Sequence, residues 1–324
     1  MTHAVVIHEH GGPEVLRWES VDAGEPGPGE VLIRQTAVGL NYLDVYERTG
    51  LYPSPLPMGL GREAAGAIEQ LGPGVRNLAP GDRVVYVSGL PGAYAERRVM
   101  PANRLVRIPE GVSDRLAAAA MLKGLTAHYL LRRTYRVRKG NSVVIHAAAG
   151  GVGLIAVQWA RQLGARVIGV VGSESKAELA RSSGCHHVLV MGRDELASSI
   201  REITAGEGAD VVYDSVGKDT FFSSLDSLRR LGMMVSFGNA SGPPPSVNVL
   251  ELGRRGSLFL TRPALFDYIV KRSELLRAAK ELFAVIGSGA VRIDIGQTWP
   301  LSDAAQAHRA LEARQTVGST VLLP

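Results

Sequence analysis

The stretch His146–Gly153, HAAAGGVG, lies between an apolar run, SVVI (Ser142–Ile145), and a run with helical periodicity, LIAVQWARQLG (Leu154–Gly164). Three glycines within four residues are costly to order and have no side chains to pack, so a bend, a close approach or a ligand must require them. A dinucleotide-binding βα turn has all three needs: a tight bend, an unobstructed backbone beside the pyrophosphate, and a small residue where helix meets strand. Aligned to G-x-G-x-x-G, the stretch supplies Ala148, Ala149, Gly150, Gly151, Val152 and Gly153, with alanine in place of the first glycine. A second strand, RVIGVVG, completes a βαβ unit of the right length. N–H groups at the helix start, with the helix dipole behind them, would meet the pyrophosphate.

The end of the second strand decides which dinucleotide is expected. An NAD site carries an acidic residue roughly 20 residues beyond the glycines, whereas a 2′-phosphate needs cationic and hydroxyl donors. Here Val170–Lys176 reads VVGSESK, which puts Val171 at the acidic position and Gly172, Ser173 and Lys176 just beyond it. A hydroxyl and an ammonium suit a phosphate, so the reading is NADPH. Glu174 is expected to face solvent rather than a ribose hydroxyl.

Composition bounds the rest. A chain of 324 residues with 45% hydrophobic content can fill two cores. No run of about 18 apolar residues and no charged-then-apolar leader stands out, so the expectation is a cytoplasmic protein with no membrane partner. The single cysteine, Cys185, excludes internal disulfides and zinc sites built from several thiolates. CHH at Cys185–His187 reads as the approach to a buried strand, and no metal site is expected. The formal charge of +5 is scattered. Its densest stretch, Leu130–Gly140, reads as a solvated helix end rather than a nucleic-acid surface.

Up to about Met121 the runs are short and strand-like, punctuated by GEPGPGE, LYPSPLP and LGPGVRNLAPGD. From Thr126 to Arg262 strands and helices alternate, among them FFSSLDSLRRLG as a helix before MMVSFG. Strands apolar on both faces and separated by helices indicate a parallel sheet covered on both sides. Beyond Pro263, two helical stretches precede a final STVLLP. The expected order is a β-rich domain over 1–124, a Rossmann domain over 125–263, and a return segment over 264–324.

Gly61–Val84, GREAAGAIEQLGPGVRNLAPGDRV, carries G-x-E-x-x-G, then G-x-G-V and G-D-R-V at long, specific spacing. It resembles the medium-chain dehydrogenase/reductase superfamily. In that superfamily's zinc enzymes a histidine zinc ligand falls where this sequence has Arg62, and the first cysteine ligand where it has Asn41. No ligand set for a zinc Lewis acid remains. The stretches GLNYLDVYERTGLYP, KGLTAHYLLR, HAAAGGVGLIAVQWA, VVYDSVGKDTF, VSFGNASG and GSTVLLP narrow the likeness. They resemble the zinc-free NADPH:quinone oxidoreductases, the ζ-crystallin group, over essentially the whole chain.

That resemblance implies a GroES-like substrate domain made from both chain ends, an inserted Rossmann domain, a cleft at their junction, and a homodimer. It implies that Ser173 and Lys176 bind the 2′-phosphate. Where the family often adds a tyrosine this sequence has Met191, and Arg193 nearby offers a compensating cation. Further cofactor contacts are implied for Asn41, Tyr42, Tyr46, Thr126, Tyr129, Val216, Gly238 and Arg314, beside Gly150, Gly151, Val152, Gly153 and Gly172. Tyr129 also reads as core, and Arg314 as a helix-end charge.

A hydride acceptor develops negative charge on oxygen that side chains must stabilise when no metal does. Asn41, Tyr46 and Tyr52 are the catalytic candidates, with Asn41 orienting cofactor and substrate and the tyrosines hydrogen-bonding a quinone or similar conjugated carbonyl. Positioning and dryness supply much of the rest. Asp44 reads as a helix-start carboxylate, and His146 as a strand-end residue rather than a base. Two alternatives stand: a reductase of enones or enoyl thioesters, and a ζ-crystallin-like RNA-binding or structural role. Against the latter, no basic stripe interleaved with aromatics is present.

Overall fold

The computed structural model describes the whole chain, Met1–Pro324. It divides into two compact units, one made of residues 1–123, 271–279 and 293–324, the other of 124–270 and 280–292. The sequence places the return to the first unit at 264, whereas the structure keeps 264–270 and 280–292 in the second. Tyr268 stacks on Tyr129 there, and Leu282 fills the space that a Cβ on Gly124 would occupy. No helix is long and apolar enough to cross a membrane.

The first unit opens with β1 (Thr2–Ile7), β2 (Arg17–Val21), β3 (Glu30–Leu40), α1 (Tyr42–Arg48) and β4 (Met58–Gly59). It continues through β5 (Glu63–Leu71), β6 (Arg83–Val87), β7 (Arg97–Pro101), β8 (Leu105–Arg107) and the first part of α2 (Asp114–Tyr129). β1 sits between β2 and β4 in a small antiparallel sheet. Long β3 pairs antiparallel with β5 and β7, and a register shift between Gln35 and Ala37 bends it. Alternating apolar residues put Val31, Ile33, Ile68 and Val84 inside, against Ile7, Leu60, Tyr86 and Tyr94. Each such aliphatic chain contributes roughly 1.5–3 kcal/mol when fully buried.

The second unit carries β9 (Ser142–His146), α3 (Gly151–Gln162), β10 (Arg166–Val171), α4 (Glu174–Ser182), β11 (His187–Val190), α5 (Leu196–Ile203) and β12 (Ala209–Asp214). After these come α6 (Phe221–Asp226), β13 (Leu228–Ser236), α7 (Leu250–Arg254), β14 (Phe259–Thr261) and α8 (Leu265–Tyr268). All five strand pairings are parallel, in the order β11-β10-β9-β12-β13-β14. This is the doubly wound order, with a topological switch point beside β9. One expectation is corrected: LRRLG is not helical but opens β13, because α6 ends at Asp226 and β13 starts at Leu228, pairing with Ala209. Of its two leucines only Leu228 is buried, while Leu231 is exposed with a left-handed φ of 60°, so local spacing does not mark the strand start.

After α9 (Arg272–Gly287), the chain adds β15 (Ile295–Pro300), α10 (Ala304–Glu312) and β16 (Ser319–Leu323) to the first unit, where β16 pairs with β3. β15, which alternates half-buried and exposed side chains, extends the sheet beyond β16.

The short helix α1 is pinned by a buried polar chain. Fully buried Arg48 forks onto Glu312 at 2.8 and 2.9 Å and donates to His308 Nδ1 at 3.0 Å. His308 Nε2 meets the Tyr94 hydroxyl at 3.1 Å, and that hydroxyl donates to Asp44 Oδ2 at 2.9 Å. Asp44 also accepts from the Asn41 N–H at 2.8 Å, which is the helix-start role expected of it, but its Oδ1 has no partner. Burial, then the charge of Glu47, pushes the Asp44 carboxyl up to about 8. Burial, with Arg48 adding to it, holds His308 down at about 3.

Two outcomes follow from this packing. Gly66 lies in β5 opposite the β3 bend, where a Cβ would come within 2.2 Å of the Arg34 carbonyl oxygen. Gly66→Ala is expected to cost about 1–3 kcal/mol, read as a lower urea midpoint at unchanged slope. A carboxyl whose folded pKa exceeds its unfolded one stabilises below the unfolded value, and that contribution is lost as pH rises through the folded value. Asp44 therefore makes stability fall between about pH 4 and pH 8, by up to about 1.4 kcal/mol per unit. Asp44→Asn should flatten this trend, and urea midpoints at pH 5 and pH 8 that decline in parallel for both proteins would contradict it.

Candidate functional site

In the second unit, β9 delivers the chain to the glycine turn at the switch point. Ala147 takes a left-handed conformation with φ of 49°, and Gly150 is extended as the N-cap of α3 with no side chain capping it. The first N–H groups of α3 are thus left for another acceptor, the arrangement that suits an anion. Gly153 has a packing reason of its own: a Cβ there would meet the Ala147 carbonyl oxygen at 2.1 Å. Val152 lies in the first turn between these glycines.

At the end of β10, Gly172 opens onto free space, with nothing within 4 Å of an added Cβ. Ser173 is the N-cap of α4, and its hydroxyl lies 3.1 Å from the Ser175 hydroxyl. Lys176 stands in the first turn of α4. The Glu174 side chain is 60% exposed and paired with Arg193 and Arg181, as its solvent-facing expectation requires. Arg193 also pairs with Asp194 at 3.0 Å, so its guanidinium already serves two carboxylates. Met191 packs against the core of this unit and donates its N–H to the Val171 carbonyl at 2.9 Å.

Val216 and Gly238 lie on loops beyond the carboxyl ends of β12 and β13. A Cβ on Gly238 would strike the Ser215 carbonyl oxygen at 2.5 Å, so the two loops meet backbone to backbone. Fully buried Asp214 shapes the first loop by accepting from the N–H groups of Val216 and Gly217 and from the hydroxyls of Thr220 and Ser224. His146 lies 2.9 Å from that Ser224 hydroxyl, and burial holds its pKa below the usual value. It is the strand-end residue the sequence indicates. Thr126 is buried in α2, and Tyr129 stacks on Tyr268 at 4.5 Å.

In the first unit, Asn41 ends β3's run into α1 and is its N-cap. Tyr42, Tyr46 and Tyr52 form an aromatic row with ring centroids 5.7 and 5.3 Å apart, the second contact edge-on. Tyr46 is buried, whereas Tyr52 is 36% exposed. Burial, then Glu312, raises the Tyr42 phenol, and the Arg314 charge opposes them. The first unit thus carries Asn41, the three tyrosines and Arg314, and the second carries the remaining predicted residues.

Arg62, where the resemblance sets a zinc-binding histidine in related enzymes, pairs with buried Glu47 and donates to the Gly89 carbonyl. No group of three or more His, Cys, Asp or Glu residues is arranged to hold a metal ion. Sequence reading passed over Glu63 and Lys123, which touch Asn41's surroundings directly: Asn41 Nδ2 donates to Glu63 Oε1 at 2.8 Å, and Lys123 Nζ to the same oxygen at 3.2 Å. The signal for Lys123 was available, since it is a lone charge in an apolar run, AAAAMLKGL, whereas Glu63 directly follows Arg62 and is not set apart in that way.

Residues 27–110 match the family described as alcohol dehydrogenase GroES-like domain, and residues 151–283 that described as zinc-binding dehydrogenase. The chain is 49% identical to the 2-haloacrylate reductase of a Burkholderia species, covering 100% of this chain and 99% of that protein. It is also 49% identical to the quinone oxidoreductase of Pseudomonas aeruginosa, each covered in full. Among solved structures, the Escherichia coli quinone oxidoreductase complexed with NADPH superposes with a TM-score of 0.97 at 46% identity, over 99% of this chain and 100% of that one. On these full-length likenesses, together with the doubly wound sheet and the β-rich unit built from both chain ends, the chain belongs to the quinone oxidoreductase family of the medium-chain dehydrogenase/reductases.

Proposed function

We propose that the protein is an NADPH-dependent quinone reductase that moves a hydride, without zinc, to a quinone or similar conjugated carbonyl, and that it works as a cytoplasmic homodimer. The observation that carries the reading is the β10 end, where space beyond Gly172, the Ser173 hydroxyl and Lys176 replace an acidic residue while Glu174 is drawn away by arginines. This fits a 2′-phosphate, and the uncapped start of α3 fits the pyrophosphate. The NADPH-complexed relative supports the same cofactor. For the homodimer, β14 is an outer strand whose Phe259 is exposed, with Val249 and Leu250 exposed on the preceding segment.

When bound, NADPH supplies a hydride from its nicotinamide ring. The residues expected to hold it are Gly150–Gly153, Gly172, Ser173, Lys176, Val216 and Gly238, with Thr126, Tyr129 and Arg193 beside them and Asn41, Tyr42, Tyr46 and Arg314 from the first unit. Tyr46 and Tyr52 would donate their hydroxyls to a carbonyl oxygen as it gains charge, and such donors act most strongly where water is excluded. Burial keeps Tyr46 in one orientation, and the edge-on ring of Tyr52 limits its freedom. Arg62, held by Glu47, takes the place of a metal ligand, which supports zinc-independent chemistry.

A second reading, reduction at the carbon of an enone or other conjugated acid, is favoured by the equally similar 2-haloacrylate reductase. Relative turnover of a benzoquinone, a 2-haloacrylate and a crotonyl thioester separates the two readings, with the quinone expected to be fastest.

Separate titrations with NADPH and NADH are expected to show at least tenfold tighter NADPH binding, about 1.4 kcal/mol, and Lys176→Ala should erase that preference. No binding of either nucleotide would sink the reductase reading and favour an RNA-binding role, for which affinity would fall steeply with salt. Tyr46→Phe and Tyr52→Phe should each lower quinone kcat/KM by about tenfold or more. Unchanged turnover of every quinone tried in both variants would remove the tyrosines from the mechanism.

A further inference from the structure

The first unit buries an ion pair whose geometry leads to Asn41. Glu63 in β5 is fully buried, Lys123 in α2 is 6% exposed, and Lys123 Nζ lies 3.2 Å from Glu63 Oε1. Burying two charges is expensive, and apolar side chains of the same volume often serve stability as well, so stability alone does not explain the pair. The surroundings show what it holds. Glu63 Oε1 accepts from Lys123 Nζ and from Asn41 Nδ2 at 2.8 Å, and Oε2 accepts from the Leu122 N–H at 2.6 Å. Lys123 is steadied in turn by the Leu40 carbonyl oxygen at 3.0 Å.

A carboxylate accepts only. Asn41 can therefore face Glu63 only with its amide nitrogen, which also lies 3.4 Å from the Gly39 carbonyl oxygen. Its own carbonyl then points the other way, to the first turn of α1, the helix that carries Tyr42 and Tyr46. The backbone makes room for this: a Cβ on Gly39 would come within 2.2 Å of Glu63 Oε1.

We propose that Glu63 and Lys123 are the positioning pair of the site, locking the Asn41 amide in one orientation so that it meets NADPH with its geometry already set. The pair acts through Asn41 and touches no reacting atom; the inference rests on the reductase reading above. Preorganisation of this kind spares the ordering cost that a rotating amide would incur on binding.

The test is NADPH titration of the Glu63→Gln/Lys123→Met double variant, with and without Asn41→Ala. The double variant removes both charges together and preserves volume. The Leu122 N–H retains the Gln carbonyl, so the Gln NH2 faces Asn41 and turns that amide around. The expected result is a cooperatively melting protein whose NADPH Kd rises at least fivefold, with less than twofold further loss when the same change is made in the Asn41→Ala background. A wild-type Kd in the double variant, or losses that multiply in full across the two backgrounds, overturns the proposal. Should the double variant not fold, Glu63→Asp keeps the charge pair but withdraws the carboxylate from Asn41 by one methylene, and is read against the same limits. Failure of the wild-type protein itself to bind NADPH overturns the reductase reading, and this arm is independent of any variant.

Discussion

A single buried carboxylate ties the first unit together. Glu63 accepts from the N-cap of α1, from the ammonium of Lys123 and from the α2 backbone, so a strand, a helix start and a helix interior all depend on one side chain. Leaving any of those donors unpaired inside the protein would cost more than the hydrogen bond itself gains. The constraint reaches the backbone as well, since Gly39 has to lack a side chain for the carboxylate to fit. At the other end of α1, Arg48 repeats the solution with Glu312 and His308, so a seven-residue helix that would not persist alone is held at both ends.

The second unit depends on absence rather than charge. Gly153 lets α3 approach the Ala147 carbonyl, and Gly238 and Gly217 let the loops after β13 and β12 meet main chain to main chain. Once the turn is that close, the uncapped N–H groups of α3 stand at the carboxyl edge of the parallel sheet beside the switch point. Packing by itself thus accounts for these glycines. Asp214, which accepts from four donors, fixes the neighbouring loop in the same region.

Much of this was legible in the order of the residues. Apolar runs on both faces, spaced by amphipathic helices, lead to a parallel doubly wound sheet, and HAAAGGVG marks its first turn. The predicted orientation of Glu174 also follows from local sequence, because its neighbours leave its side chain outside the turn. The helix assigned to LRRLG shows where such reading stops: it is the pairing of Leu228 with Ala209 across the sheet that makes the stretch open a strand. The boundary at 264 fails to anticipate the units for a similar reason, since the stacking of Tyr268 on Tyr129 joins residues far apart in the chain.

By itself the sequence determined the class of the fold, the glycine turn, and the hydroxyl and ammonium beyond β10. These features are local, set by periodicity, turn chemistry and residue type. Tertiary structure alone decided that Glu63 and Lys123 meet at Asn41, that Arg193 is engaged by two carboxylates, and that Asp44 lies buried behind Tyr94 and His308. Those outcomes depend on burial and on partners as far apart as Tyr94 and His308, 214 residues along the chain. A lone charge in an apolar run announces that a partner exists, but packing selects which one.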